Sequence, residues 1–342
     1  MFSLGRLGAE IASRVGLLDI YSVVRRTLTH SQRAIVMYHR VSSKAPPWLP
    51  GAVNPEDFER EIAYLCKVAE IVPLDWLVNQ LYEGKSIPPR AVCLTFDDGY
   101  KDNYAFAYPV LKKRNVPATI FLTTGYIGDT DTFWEYKIRY AIWNTRVTEL
   151  DAEGLGCYHL KQPGDRLSAM GNIQARLLKL SRGEVNMLVE RLLHLLRVEL
   201  PNRFGRGITL SWDEVMEMSQ SSISFGAHTV THPMLTRLPT EEVRGEITRS
   251  KRDIEVRLGR PCSLFAYPYG DFNAEVVQLV KESGFTGAVT AATPKLLGKN
   301  PEDLFVLSRI TAGPNFYTFK GTLSGLYPDL MTALSWVKGQ GL

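Results

Sequence analysis

Leu94-Thr95-Phe96-Asp97-Asp98-Gly99-Tyr100 decides how the rest of the chain is read. The residues leading into it, Ala91 to Leu94, are apolar and partly β-branched, the mark of a buried strand. That strand ends in two adjacent carboxylates and a glycine. In a continuing strand neighbouring side chains point to opposite faces. Gly99 can take backbone angles closed to other residues, so a break there lets both carboxylates reach one pocket. Two carboxylates in one place repel, and a shared proton or a metal ion must divide their roles. With an ion, one carboxylate binds it and the other stays free as a base. Taken alone, Asp-Asp-Gly equally fits solvated acids at a helix start.

Working outward, apolar runs alternate with helical patterns. Ala34 to Met37 reads as a strand ending in Tyr38-His39-Arg40. Further strands are expected at Ile71–Leu74, Pro117–Leu122, Ile223–Ala227, Leu264–Tyr267, Gly287–Thr290 and Phe305–Leu307, the last just before Ser308-Arg309. Asn54-Pro55-Glu56-Asp57 has the cap, early proline and acids of a helix start. Other helices are expected at Tyr104–Arg114, Thr240–Leu258 and Asn273–Glu282, and Ser211 to Glu214 is a capping box. Regular alternation of this kind argues for a parallel sheet or barrel. From about Gly125 to Leu210 the rhythm breaks into two helices, Trp134–Trp143 and Val185–Leu200, with polar connections. This stretch reads as an insertion that forms one wall of a cleft.

The 342 residues, 45% hydrophobic and 22% charged, suit a globular protein with a sizeable core. A net charge of +4 and no basic tract give no footing for nucleic acid. Cys66, Cys93, Cys157 and Cys262 form no C-x-x-C pair and read as reduced, metal-free thiols. No stretch is long and apolar enough to span a bilayer, and the start lacks a signal peptide's apolar core. A cytoplasmic protein, or one peripheral to a membrane, is therefore expected. Leu4, Leu7, Ile11, Val15 and Leu18 recur at helical spacing with arginines between them. This N-terminal amphipathic segment, over 1–30, either packs on the domain or lies on an anionic membrane surface. A barrel over 31–320, with its insertion at about 126–210, and a helical tail over 321–342 complete the expected organisation.

His228 and His232 are four apart, directly after a strand. On a helical turn that spacing puts both imidazoles on one face. With Asp98 they make three nitrogen and oxygen ligands, and three protein ligands with one open position describe a catalytic zinc. Cobalt or nickel would also suit the set. Such an ion lowers the pKa of water at its open position, and Asp97 is placed to take that water's proton. All three pieces lie at the C-terminal ends of predicted parallel strands, the usual place for a site in such folds.

Thr95-Phe96-Asp97-Asp98-Gly99, His228-Thr229-Val230-Thr231-His232 and Phe265-Ala266-Tyr267-Pro268-Tyr269-Gly270 resemble, in order and spacing, the first three motifs of the polysaccharide deacetylases of carbohydrate esterase family 4. The resemblance covers roughly Arg33 to Arg309 outside the insertion. It implies an α/β fold, a distorted (β/α) barrel of about seven parallel strands, and metal-dependent removal of acetyl groups from an N-acetylated glycan. By the same resemblance Asp97 is the base, and Asp98, His228 and His232 hold the metal. The Pro268-Tyr269 turn supplies the oxyanion donor, through the Tyr269 N–H. Two departures stand out. The arginine that orients the base in the third motif is Ala266 here, and Arg309 is the candidate replacement. The family's C-terminal histidine acid is missing, since His232 is the last histidine. Tyr38-His39-Arg40 resembles the N-terminal motif of the biofilm poly-N-acetylglucosamine deacetylases, which points to His39 as the acid. Tyr269, Trp134 and Trp48 are candidates for stacking on sugar faces. Competing readings are another carbon–nitrogen hydrolase on the same barrel, a silent glycan-binding module, and a membrane scaffold.

Overall fold

The computed structural model describes residues 17, 18, 20, 21, 33–43, 46, 48, 49, 51–128, 132–291 and 303–326. The N-terminal segment over 1–30 lies outside them apart from Leu17, Leu18, Ile20 and Tyr21, as does the tail beyond 326. Among the described residues no helix is long and apolar enough to cross a membrane.

Eight parallel strands build the body: β1 (Ala34–Tyr38), β2 (Ala91–Phe96), β3 (Ala118–Leu122), β4 (Ile223–Ala227), β5 (Leu264–Ala266), β6 (Gly287–Thr290), β7 (Leu307–Ser308) and β8 (Ile310–Thr311). Their order is β7-β6-β5-β4-β3-β2-β1-β8. Strands β7 and β8 are one segment interrupted at Arg309. Its first half pairs with β6 and its second half with β1, so this segment closes the sheet into a (β/α) barrel. Counted as one strand it brings the total to the expected seven. The last strand lies two residues later than its apolar run suggested, and Arg309 sits inside it rather than after it. A shorter strand, Glu70–Ile71, pairs with β2. It stops before Pro73, which caps the next helix and cannot donate to a ladder.

Alternation along the strands sorts the side chains. Ala34, Val36, Val92, Leu94, Ile120, Phe225 and Phe265 share one core with the surrounding helices. Among these is α1 (Pro55–Val68), whose cap Asn54 accepts the Glu56 N–H. Residues of the other parity, Ile35, Cys93, Phe121, Ala266, Val289 and Leu307, fill the barrel interior with Leu74, Leu77 and Val78 of α2 (Leu74–Tyr82). Gly226 makes room for that filling, since a Cβ there would stand 2.5 Å from the Phe121 ring.

Between β3 and β4 the chain leaves the barrel. It forms α3 (Trp134–Asn144), a hairpin of Glu149–Ala152 and Gly156–His159, α4 (Pro163–Leu177) and α5 (Arg182–Leu196). Helix α4 and the hairpin replace the polar connections expected there. Ala169, Met170, Ile173 and Leu177 give α4 a buried face against Ile138, Ile142, Leu192 and Leu196, so this stretch has its own core. Helix α6 (Thr240–Leu258) follows β4 with the expected bounds.

Candidate metal and catalytic site

Continuing the interior parity upward leads past the apolar filling to Met37 and His39, Thr95 and Asp97, His228, Ala291, and Arg309 and Thr311. All of these except Thr95 line a cavity of about 480 Å³ at the C-terminal end of the barrel. The insertion supplies the facing wall with Phe133, Glu135, Tyr136, Arg139 and Gln174.

Asp97 is buried and meets Arg309 through two parallel bonds, Nη1 to Oδ1 at 2.7 Å and Nη2 to Oδ2 at 2.6 Å. Arg309 is itself 1% exposed and lies over the Phe121 ring. Burial alone would raise the Asp97 pKa. The Arg309 guanidinium outweighs it and holds the carboxyl well below its usual range. Asp97 is therefore an anion at neutral pH, fixed in one orientation.

The chain turns sharply after Asp97. Asp98 has φ of 74° and Gly99 of 70°, so the break is shared by both residues rather than left to the glycine. Among the described residues seven non-glycine residues have positive φ, and Asp98, Thr229, His232 and Tyr269 are four of them. Backbone strain is thus concentrated on the motif residues, as at many functional sites.

The stretch from His228 to His232 is an irregular loop, not the helical turn its spacing suggested. Thr229 and His232 in the left-handed region bend it, and the His232 N–H bonds to Thr229 Oγ1 at 2.9 Å. Glu246 of α6, 3% exposed, braces it by accepting the N–H groups of Val230 and Thr231 at 2.8 and 2.9 Å and the Thr231 hydroxyl at 2.8 Å. The two imidazoles still converge, with ring centroids 4.9 Å apart.

This loop and the Asp98 turn together bring three donor atoms to one place. Asp98 Oδ1 lies 3.5 Å from His228 Nε2 and 3.3 Å from His232 Nε2. The bond from His228 Nδ1 to the Ala266 carbonyl, 2.7 Å, puts the proton on that nitrogen and leaves Nε2 a free lone pair. Burial holds His228 down at about 4 and His232, next to His39, at about 3, so both rings are neutral near pH 7. Asp98 Oδ1 is buried without a hydrogen-bond partner among the described residues. A tetrahedron with bonds of about 2.0–2.1 Å has edges of about 3.4 Å. Neutral imidazoles, an orphaned carboxylate oxygen and these separations together fit one divalent cation.

His39 follows β1 and lines the same cavity, close enough to act electrostatically on both Asp97 and His232. Its carbonyl accepts the Asn103 amide, while Asp102 takes Arg40 Nε at 2.6 Å and the Val41 N–H at 3.2 Å. Residues just past the Asp-Asp-Gly turn therefore anchor the His39 loop. Pro268 opens a short 3-10 turn in which Tyr269 has φ of 57° and ψ of 7°. The N–H groups of a helix's first turn have no partner within the helix. The Tyr269 ring stands 4.5 Å from His232, and its phenol donates to Glu135. Glu135 is a site residue the sequence reading missed. Only its place at the start of a helix bordering the cleft could have marked it.

The remaining histidines and the two candidate tryptophans sit elsewhere. His159 is an exposed hairpin residue and His194 belongs to α5, while His30 lies outside the described residues. Trp48 packs edge-on against Tyr136 and Tyr140. Trp134 lines a smaller cavity on the far side of His232 and Tyr269.

Comparisons with known proteins point to one family. The family pattern described as polysaccharide deacetylase matches residues 84–288. YxkH of Bacillus subtilis is 22% identical over 299 residues, 87% of this chain and 76% of its own. The poly-beta-1,6-N-acetyl-D-glucosamine N-deacetylase of Staphylococcus epidermidis is 36% identical over 107 residues, 28% of this chain and 37% of that protein. The structure of IcaB from Ammonifex degensii superposes with a TM-score of 0.57 at 19% identity, covering 86% of this chain and 97% of that one. The match of the family pattern across more than half of the sequence, on a barrel bearing the family's motifs at one mouth, makes this chain a member of the polysaccharide deacetylase family.

Proposed function

We propose that the protein is a metal-dependent glycan N-deacetylase acting on an acetamido sugar. One observation carries this reading. The donor atoms of Asp98, His228 and His232 converge in the cavity that also holds the Asp97–Arg309 pair. A divalent ion on those three residues would polarise the acetyl carbonyl and lower the pKa of water beside it. Zinc suits two neutral imidazoles and a carboxylate, with cobalt or nickel as substitutes.

The protein's own groups divide the remaining work. Asp97, kept anionic and oriented by Arg309, accepts the proton of the attacking water. The Tyr269 N–H donates to the oxygen that gains charge as the carbonyl carbon becomes tetrahedral. An amine leaves poorly as an anion, so His39 gives the nitrogen a proton as the bond to carbon breaks. Acetate and a free amino sugar result. The cavity volume lies in the range of pockets for compact ligands, about 300–1,000 Å³.

The test is acetate release from N-acetylated oligosaccharides and from lipid-linked sugars, before and after chelation and with zinc restored. The reading expects release that stops on chelation and returns with zinc. No acetate from any of these substrates with zinc present, or an undiminished rate after chelation, would overturn it.

A further inference from the structure

Glu135 is the second residue of α3, in the insertion, yet its side chain lines the barrel cavity. One carboxyl oxygen accepts the Tyr269 phenol and the other is buried with no hydrogen-bond partner among the described residues. On that wall it stands with Phe133, Tyr136 and Arg139, and Tyr100 of the barrel joins the ring cluster. Burial there pushes the carboxyl up to about 7. An acid in such surroundings is a poor choice if its only task is to join two layers, because an apolar pair would do that at lower cost.

The contact is made to a strained residue. Tyr269 is a non-glycine residue in the left-handed region, at φ of 57°. Backbone bonds brace the turn on either side: Gly270 N–H to the Tyr267 carbonyl, and Asp271 N–H to the Pro268 carbonyl. The phenol is the tether at Tyr269 itself, and Glu135 is its acceptor.

We propose that Glu135 is a positioning residue for deacetylation: by accepting the Tyr269 phenol it holds the turn that aims the Tyr269 N–H at the acetyl oxygen. The proposal rests on the deacetylase reading above for its catalytic half. It also gives the insertion a part in the site, as the element that fixes the oxyanion donor.

The experiment compares Glu135→Ala, Glu135→Gln, Tyr269→Phe and the Glu135→Ala/Tyr269→Phe double variant in the whole 342-residue chain, zinc-loaded. Loosening an oxyanion donor should cost less than deleting one, which costs about 10²–10³ in kcat. Glu135→Ala and Tyr269→Phe should each lose about tenfold in kcat, with KM, melting temperature and zinc stoichiometry unchanged. The loss should be equal on an acetamide and on an activated acetate ester, since both pass through an oxyanion. The double variant should be no worse than either single one. Glu135→Gln keeps an acceptor oxygen and should recover most of the rate.

Amide hydrogen exchange reads the same tether without any substrate. In Glu135→Ala the Tyr269 and Gly270 amides should exchange several-fold faster, with β4 and β5 unchanged. Unchanged exchange in the turn, or faster exchange with undiminished kcat, or losses that multiply in the double variant, would overturn the proposal. If the wild type releases no acetate at all, the exchange result still decides whether Glu135 holds the turn.

Discussion

Asp97 and Arg309 depend on each other. A carboxylate this deeply buried would otherwise gain a proton, and a guanidinium 1% exposed would otherwise be an unmatched charge. Replacing Asp97 by asparagine keeps size and some hydrogen bonding but removes the proton acceptor. Turnover should fall by about a hundredfold or more while the metal stays bound. The same change strands the Arg309 charge, so denaturant titration should register a loss on the order of 3 kcal/mol. Near-normal turnover would mean that the base lies elsewhere. His39 calls for a different measurement. If it protonates the departing nitrogen, His39→Ala should lose far more activity on an amide than on an activated acetate ester, whose leaving group needs no proton. Equal losses on the two substrates would remove it from that role. His39 and Arg309 were singled out in the sequence by the family resemblance, and side-chain parity, fixed at two along a strand, is the physical reason both come to line the cavity. Counting by twos from Ile35 reaches His39, and from Leu307 reaches Arg309. The partnership of Arg309 with Asp97, suggested by the resemblance, does not follow from parity. It depends on the final segment closing the barrel between β6 and β1, a pairing of residues 212 positions apart.

Loops, more than strands, give the site its shape. Strand and helix bounds such as Ile223–Ala227 and Thr240–Leu258 followed from apolar pattern and caps, because burial on one face dictates them. The loop from His228 to His232 was misread as a helical turn because a four-residue spacing says only that two side chains can meet. Its real geometry comes from Thr229 and His232 in left-handed conformations and from Glu246, which lies on another element. Nothing local in the sequence announces a carboxylate 15 residues away from Thr231 that caps its backbone. Helix α4 was missed for the opposite reason, since polar residues hid the apolar stripe of Ala169, Met170, Ile173 and Leu177. The Glu246 brace makes a prediction at this scale. Glu246→Ala leaves two N–H groups and a hydroxyl without their acceptor and frees the loop that carries two of the three donor groups. Zinc affinity, measured by competition with a chelator, should drop by about 10–100-fold, the usual effect of losing support behind a ligand. An unchanged affinity would show that the loop holds its shape without Glu246.

At the scale of the molecule, the barrel supplies Asp97, Arg309, His39 and the donor set, and the insertion walls them in. The sequence motifs were enough to foresee the barrel and the family, because the motif spacings are tied to successive strand ends. The insertion was expected to wall a cleft, but which of its residues face the cavity was not legible, since Glu135, Tyr136 and Arg139 reach it only when α3 packs across the mouth. All of the proposed chemistry depends on one divalent metal ion held by Asp98, His228 and His232. Its binding is tested most directly by the metal content of the purified protein after zinc loading, beside the His228→Ala/His232→Ala variant, with circular dichroism to verify folding. About one zinc per wild-type chain and essentially none in the folded double variant are expected. Full zinc occupancy in that variant would contradict the assignment of these ligands.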